Sequence, residues 1–238
     1  MEHEHKKFDI ELSELRTKLN KMGDLVVAQI EAALACLSEH DVRGTRPIIE
    51  SDIDVNRMDI DLEETCLQFL ALHQPVAGDL RLITATMKIT TELERIGDRV
   101  VNLCEAVHDR EEGDQATSHA EVLRMGALAL AMVRDSVMAF VQADIALARR
   151  VFEKDKEFDA LYGEVFAKLT ASLAKDSGRV AHDAKMAFWL KDLNEISEHA
   201  TNIAEVVMFM VEGKEITHMD MHERRVRRVS LKKQRAGT

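Results

Sequence analysis

Apolar side chains recur every three or four positions along almost the whole chain, and nowhere do they alternate long enough to predict a strand. Ile10, Leu12, Leu15, Leu19, Met22, Leu25 and Val26 carry this spacing and predict a first helix from about Phe8 to Glu39, with Gly23 tolerated inside it at some cost. The stretch HDVRGTRP breaks it. Pro47 suits an early position of a second helix, where its missing N–H is harmless, and that helix runs to about His73. Gln74-Pro75 and Gly78 mark a turn, and Asp79 is placed to cap a third helix extending to about His108. After the polar stretch Asp109–Ser118 the pattern resumes. It predicts a helix over His119–Gln142, a turn at Ala143-Asp144, a long helix to about Ala174 and a helix from about Val180 to Met210, with Gly213 closing the last. Long helices joined by short turns are antiparallel neighbours, so each half reads as a three-helix bundle. The fold class is all-α: two tandem antiparallel three-helix bundles, six helices in all, followed by a basic tail.

The two halves echo one another. Thr91–Val107 returns as Lys191–Val207, with Leu93, Ile96, Asn102, Glu105 and Val107 matched in register by Leu193, Ile196, Asn202, Glu205 and Val207. A period this long implies two copies of a subdomain rather than a short solenoid unit. The expected boundaries are residues 1–112 and 113–215 for the bundles and 216–238 for a basic, flexible tail.

Composition agrees with helices and adds a charge asymmetry. Two prolines, ten glycines and 4% aromatics in 238 residues favour helix throughout, and 46% hydrophobic residues supply a core. The net charge is −11, yet Arg224–Arg235 holds seven basic residues and no acidic one, leaving a still more acidic body. Such a body repels nucleic-acid phosphates and suits divalent cations. The tail reads as a solvated extension, or as a segment docking on an acidic partner or an anionic membrane surface. Cys36, Cys66 and Cys104 are odd in number and widely spaced, which fits buried thiols of a reducing compartment rather than disulfides or a zinc site. MEHEHKKFDIEL lacks the apolar stretch of a signal, and the longest apolar run, Met125–Val133, is too short to span a bilayer. The expected location is cytoplasmic, with peripheral contact at the inner face of the membrane.

Candidate chemistry lies on the repeated helix. With Glu94 at zero on a helical wheel, Asp98 falls at about 40°, Asn102 at about 80° and Glu105 at about 20°, opposite Ile89, Ile96, Val100, Leu103 and Val107. A carboxylate stripe of this kind is most simply a solvated face, although like charges four residues apart repel. A second stripe strengthens the reading. Asp52 and Asn56 lie one hairpin earlier, and Asp155 and Asp159 hold the matching place in the second half. Two oxygen-bearing pairs on adjacent helices suit a hard or borderline cation with water completing its shell. In the second copy Glu94 becomes Asn194 and Asp98 becomes Glu198, while Glu195 and His199 fall off the stripe, so fewer anionic ligands are expected there.

These segments resemble the PhoU family, accessory regulators of the high-affinity phosphate transport system. The resemblance rests on Ile49-Glu50-Ser51-Asp52 with Asn56, Gln74-Pro75, Asp79-Leu80-Arg81 and above all Glu92-Leu93-Glu94-Arg95-Ile96-Gly97-Asp98. In the second half it rests on Glu153-Lys154-Asp155 with Asp159 and on Asn202-Ile203-Ala204-Glu205, and it covers nearly the whole chain. It implies paired three-helix bundles, clusters of iron, zinc or similar ions on E(D)-x-x-x-D motifs in some members, and no organic cofactor. Carried over, the metal ligands are Asp52, Asn56, Glu94 and Asp98, then Asp155, Asp159 and Glu198, with Fe, Zn, Mn or Mg as the ion. Asn194 departs from the pattern. The resemblance also implies a homodimeric, non-enzymatic regulator. Such a protein restrains phosphate uptake and holds a sensor histidine kinase inactive, through contacts with that kinase and the transporter's ATPase subunit.

Two other readings stay open, a metal-free helical scaffold and a ferritin-like di-metal carboxylate protein. The latter needs duplicated Glu-x-x-His motifs facing inward. Glu105-x-x-His108 is not duplicated, since Met208 occupies the matching place, and Glu215-x-x-His218 lies beyond Gly213. No Gly-rich loop or nucleophile elbow is present. The histidines sit mostly near helix ends, and Arg81 and Lys88 read as partners of the acidic stripe. The methionines read as core filler, a few of them facing a partner helix, and beside Trp189 Phe188 reads as core or else as an exposed contact.

Overall fold

A computed structural model describes residues 2–39, 41–108, 119–173 and 180–214, in six helices: α1 (Glu2–Glu39), α2 (Val42–His73), α3 (Ala77–His108), α4 (His119–Gln142), α5 (Ile145–Leu173) and α6 (Val180–Glu212). The tail beyond residue 214 and the whole of the predicted linker, Asp109–Ser118, lie outside the described residues. The all-α, six-helix architecture stands, with three adjustments at helix starts. α1 begins six residues earlier than the apolar pattern indicated, because charged residues continue a helix that is already nucleated. α2 begins at Val42, where the Asp41 carboxylate accepts from Arg43 N–H at 2.9 Å, and Pro47 therefore sits inside the helix. α3 begins at Ala77, placing Asp79 in the first turn, where its charge still suits the helix dipole.

The turns are set by a few local contacts. Gln74 adopts the left-handed region (φ 45°) and its N–H returns to the Leu70 carbonyl at 3.3 Å, ending α2 ahead of Pro75. Ala143 takes the same region (φ 50°), after which the Asp144 carboxylate caps α5 by accepting from Ala146 N–H at 2.7 Å. At the end of α6, Gly213 (φ 66°) donates its N–H to the Phe209 carbonyl at 2.9 Å.

α1, α2 and α3 pack mutually as one bundle, α4, α5 and α6 as the other, and the bundles join through α1 against α4 and α3 against α6. Leu15, Leu19, Met22, Val26, Ile30 and Leu37 form the buried stripe of α1, and Ile83, Ile89, Leu93, Ile96 and Val100 that of α3. Their counterparts on α4 and α6 continue into the same core, so the halves share one interior. The expected core position of Trp189 holds: it lies at the junction of the bundles beside Leu34, Leu37, Leu103 and Leu193. Its neighbour Phe188 is 63% exposed, an exposed contact rather than a core residue, because the step of about 100° per residue turns it off the buried stripe. Met22, Met125, Met132, Met186, Met208 and Met210 are core, as expected, but Met138 is exposed.

Close approach of α1 and α4 depends on glycine. A Cβ on Gly23 would meet Val137 Cγ1 at 2.6 Å, and a Cβ on Gly126 would collide with Leu34. Gly23 and Leu34 map onto Gly126 and Val137 at one constant interval, so these two contacts are related by an approximate two-fold between the halves. The helices α1, α3, α4 and α6 thus form the centre, with α2 and α5 outside it.

Candidate cation site and the seam between the bundles

α2 and α3 meet at Gly97. The missing side chain there admits the Asp52 carboxylate, since a Cβ would lie 2.8 Å from Asp52 Oδ1. Asp52 is only 9% exposed, because its place on α2 faces α3. Its Oδ2 accepts from Asn56 Nδ2 at 3.1 Å, while Oδ1 has no hydrogen-bond partner. From α1, buried Gln29 donates Nε2 to Ser51 Oγ at 2.9 Å and likewise leaves its Oε1 without a partner. Buried acceptors without donors are costly and ask for an explanation, such as a proton, a water or an ion.

Around these atoms the charge is negative. Desolvation and then the neighbouring Asp98 charge push the Asp52 carboxyl above its ordinary value, against the Asn56 hydrogen bond. Glu94 is raised by burial first and then by Asp98, Asp59 and Asp52, with Arg95 opposing. Asp59 is raised by burial and by Glu63. Of the predicted residues, Asp52, Asn56, Glu94 and Asp98 therefore do share one neighbourhood. The pattern reading missed Asp59 and Gln29. Asp59 had a legible signal, since it stands seven residues after Asp52 on the same helical row. Gln29 had none, because its role appears only when α1 packs on α2. Among the described residues, no three His, Cys, Asp or Glu side chains are arranged to hold a single ion. The chemistry of the donors, though not their present arrangement, suits a hard cation: all oxygen, net anionic, with two unsatisfied acceptors.

The second bundle is different. Asp155, Asp159, Asn194 and Glu198 are all part-buried on α5 and α6, and Asn194 Nδ2 donates to Glu198 Oε1 at 2.9 Å. The interval that carries Asp52 onto Asp155 carries Asp59 onto Tyr162 and Glu63 onto Phe166. Those two rings stack, with centroids 5.9 Å apart and planes 9° from parallel. Two aromatic side chains thus stand where the first repeat has Asp59 and Glu63.

The off-stripe residues have a different task. His199 Nδ1 donates to Glu92 Oε2 at 2.7 Å and Asn202 Nδ2 to the same oxygen at 2.8 Å, so α6 clasps a carboxylate of α3. The two-fold counterpart is Asp192 of α6, which Asn102 hydrogen-bonds and Arg99 approaches to 3.7 Å. Arg99 also pairs with Glu195 at 3.0 Å. Asn102 was assigned to the acidic stripe by its wheel position; the correction is that the stripe's edge faces the other bundle. His199, likewise, is no end-of-helix histidine. Burial works against the Glu92 charge, but the hydrogen bonds from His199 and Asn202 and nearby positive charge hold it below the ordinary value. Desolvation outweighs the partners of Asp192, whose carboxyl is raised. Arg81, expected to pair with the stripe, instead donates Nε to the Met210 carbonyl at 3.1 Å.

This arrangement defines a duplicated helical-bundle protein whose repeats meet across a two-fold, polar-clasped seam, with one acidic cluster on the first repeat. The family model of the PhoU domain matches residues 19–107 and again 122–207, and the chain belongs to the PhoU family. It is 34% identical over 220 residues to the phosphate-specific transport system accessory protein PhoU homolog of Pseudomonas putida, covering 92% of this chain and 86% of that protein. The Escherichia coli (strain K12) phosphate-specific transport system accessory protein PhoU is 28% identical over 212 residues, covering 89% of this chain and 88% of that protein. The crystal structure of PhoU from Pseudomonas aeruginosa superposes with a TM-score of 0.84 at 33% identity, covering 87% of this chain and all of that one. The phosphate transport system regulatory protein PhoU from Streptococcus pneumoniae gives 0.81 at 26% identity, covering 88% and 99%. No described helix is long and apolar enough to cross a membrane.

Proposed function

We propose that this chain is a non-enzymatic regulator of phosphate uptake and phosphate-starvation signalling. It works through contacts with the ATPase subunit of a phosphate ABC transporter and with a sensor histidine kinase, as a cytoplasmic homodimer reaching the membrane through its partners. The observation that supports this most is the PhoU domain match in both halves, together with a relative of 34% identity named as a phosphate-specific transport system accessory protein. The test is expression. Deleting the gene derepresses phosphate-starvation promoters in high phosphate; unchanged expression overturns the reading.

In the same reading, Asp52, Asp59, Glu94 and Asp98, with the Asn56 amide, hold a metal ion of the Fe, Zn, Mn or Mg type. Its charge offsets the mutual repulsion of carboxylates on α2 and α3 and ties the two helices together. The unpartnered Asp52 Oδ1 supports this assignment. Asp155, Asp159 and Glu198 form a weaker counterpart. Protein purified without chelator or affinity metal is expected to carry one of these metals, and Glu94→Ala/Asp98→Ala to lose it. Equal content in both sinks the metal assignment and favours a metal-free scaffold, leaving the regulatory role to be judged by the expression test.

A further inference from the structure

α2 contacts α1 and α3 alone among the described helices, and its outward row is unusually apolar. Ile53, Ile60 and Leu67, seven residues apart, are 55%, 58% and 51% exposed. At the end of the bundle Leu72, Val76 and Leu80 are also exposed. An exposed apolar row of this length marks an interaction surface. It is flanked by negative charge: of the seven acidic residues from Arg46 to His73, Asp52 is buried against α3 and Asp61 pairs with Lys18 of α1 at 2.8 Å, while Glu63 and Glu64 stand exposed beside the row. The two arginines of this stretch already face acids of the same helix, Arg46 to Glu50 at 2.7 Å and Arg57 to Asp54 at 3.4 Å.

The chain itself holds a segment of complementary chemistry, and α6 delivers it to this end of the bundle. Arg81, next to Leu80, binds the Met210 carbonyl, and its guanidinium stands against Gly213, 3.3 Å from where a Cβ would lie. Residues 215–238 follow directly, with seven basic and no acidic side chains over Arg224–Arg235, interspersed with Val226, Val229 and Leu231. The ten residues from Lys214 to Arg224 span at most about 35 Å. The length of α2 from Leu72 back to Ile53 is about 28 Å. The basic segment therefore reaches the acidic part of the row without strain. A tether this short holds it there at an effective concentration in the millimolar range, so a weak intrinsic affinity suffices.

We infer that residues 215–238 fold back onto the outer face of α2 of the same chain, the basic Arg224–Arg235 segment lying along the acid-flanked Ile53–Ile60–Leu67 row. Charge holds the segment on this face, and its apolar side chains set where it lies along the row. This goes beyond the regulatory reading and does not depend on it.

The test uses the full chain, methyl-labelled at isoleucine and leucine, with a nitroxide on Ser230→Cys, attached by brief labelling because the native thiols are buried and react slowly. At low salt the Ile53, Ile60 and Leu67 methyl signals broaden severalfold, equally after tenfold dilution. The broadening vanishes in salt on the order of 0.5 M, where charges are screened within a few ångströms. It also falls at least twofold in Glu63→Lys/Glu64→Lys, and in a second variant with Arg224, Arg225, Arg227 and Arg228 changed to Gln. Sharp α2 methyls, or broadening confined to another face, overturn the inference. So does broadening that appears only between labelled and nitroxide-bearing chains in a mixture, which places the tail on a second copy. Sharp α2 methyls with the tail bound to phosphatidylglycerol vesicles overturn it in favour of a membrane surface.

Discussion

Glu92 on α3 and His199 on α6 meet at 2.7 Å across the seam between the two repeats, and Asn202 completes the clasp on the same oxygen. Because the folded-state value of Glu92 is lowered from 4.5, its contribution to stability is present above pH 4.5 and is lost as pH falls through that lowered value. Replacing Glu92 by Gln keeps the shape but removes charge-assisted hydrogen bonds, so it is expected to cost about 1.5–3 kcal/mol at pH 7. Urea unfolding at pH 7 and near pH 3.5 checks both parts. The difference from wild type narrows at the lower pH, and equal stabilities at pH 7 refute the clasp's contribution.

The acidic cluster has the opposite sign. Asp52, Glu94 and Asp59 are raised in the folded state, so they favour folding at low pH and that contribution is lost as pH rises through their folded values. Asp98→Asn removes a charge that repels both Asp52 and Glu94, and metal-free protein is expected to gain roughly 0.5 kcal/mol at neutral pH, a few tenths per like-charge pair. If the proposed metal binds here, added metal is expected to stabilise wild type and not the variant. Thermal melts with and without chelator and added Zn or Mn test this; a variant less stable than metal-free wild type contradicts the repulsion argument.

The approach of α1 to α4 predicts an alanine that hurts. Gly→Ala inside a helix ordinarily gains about 1 kcal/mol. Gly23→Ala places its Cβ 2.6 Å from Val137 Cγ1, and the expected net result is a loss of about 1–3 kcal/mol. Val137→Ala opens the room, so the double variant should be more stable than the two single losses sum to, by denaturant unfolding. Strict additivity argues against the contact.

Thiol chemistry gives a simple check on the shared core. Cys66 and Cys104 are pushed up to about 12, by desolvation first, and Cys36 is raised for the same leading reason. Native protein at pH 8 should react with Ellman's reagent more than tenfold slower than denatured protein, which should release three equivalents. A fast-reacting thiol in the native state means that the helices around it open.

The helical spacing of the apolar residues was enough to read six helices and their pairing into repeats, because a buried stripe must recur with the helix turn. The Asp52/Asn56 and Glu94/Asp98 pairs were legible for the same reason, since a four-residue interval puts side chains on one face. What lies across that face was not. Asn102 and Asn202 share a wheel position with the acidic row, yet they serve the seam, a distinction that requires knowing that α3 lies against α6. Gln29 approaches Asp52 only through packing of α1. Phe188 stood between core and exposed contact in the sequence, and only the position of the buried stripe, which takes Trp189 and turns Phe188 outward, decides between them.

The matched contacts of Gly23 with Val137 and Gly126 with Leu34 have the symmetry of an interface between two identical molecules. In a true homodimer any substitution at such a surface appears twice, and both acidic clusters would have to change together. Encoding the two halves in a single reading frame lifts that restriction. Asn194 in place of glutamate, and Tyr162 and Phe166 in place of acids, are changes that only a fused pair can make on one side. The fusion allows one half to keep its carboxylates while the other takes up a separate role under independent selection.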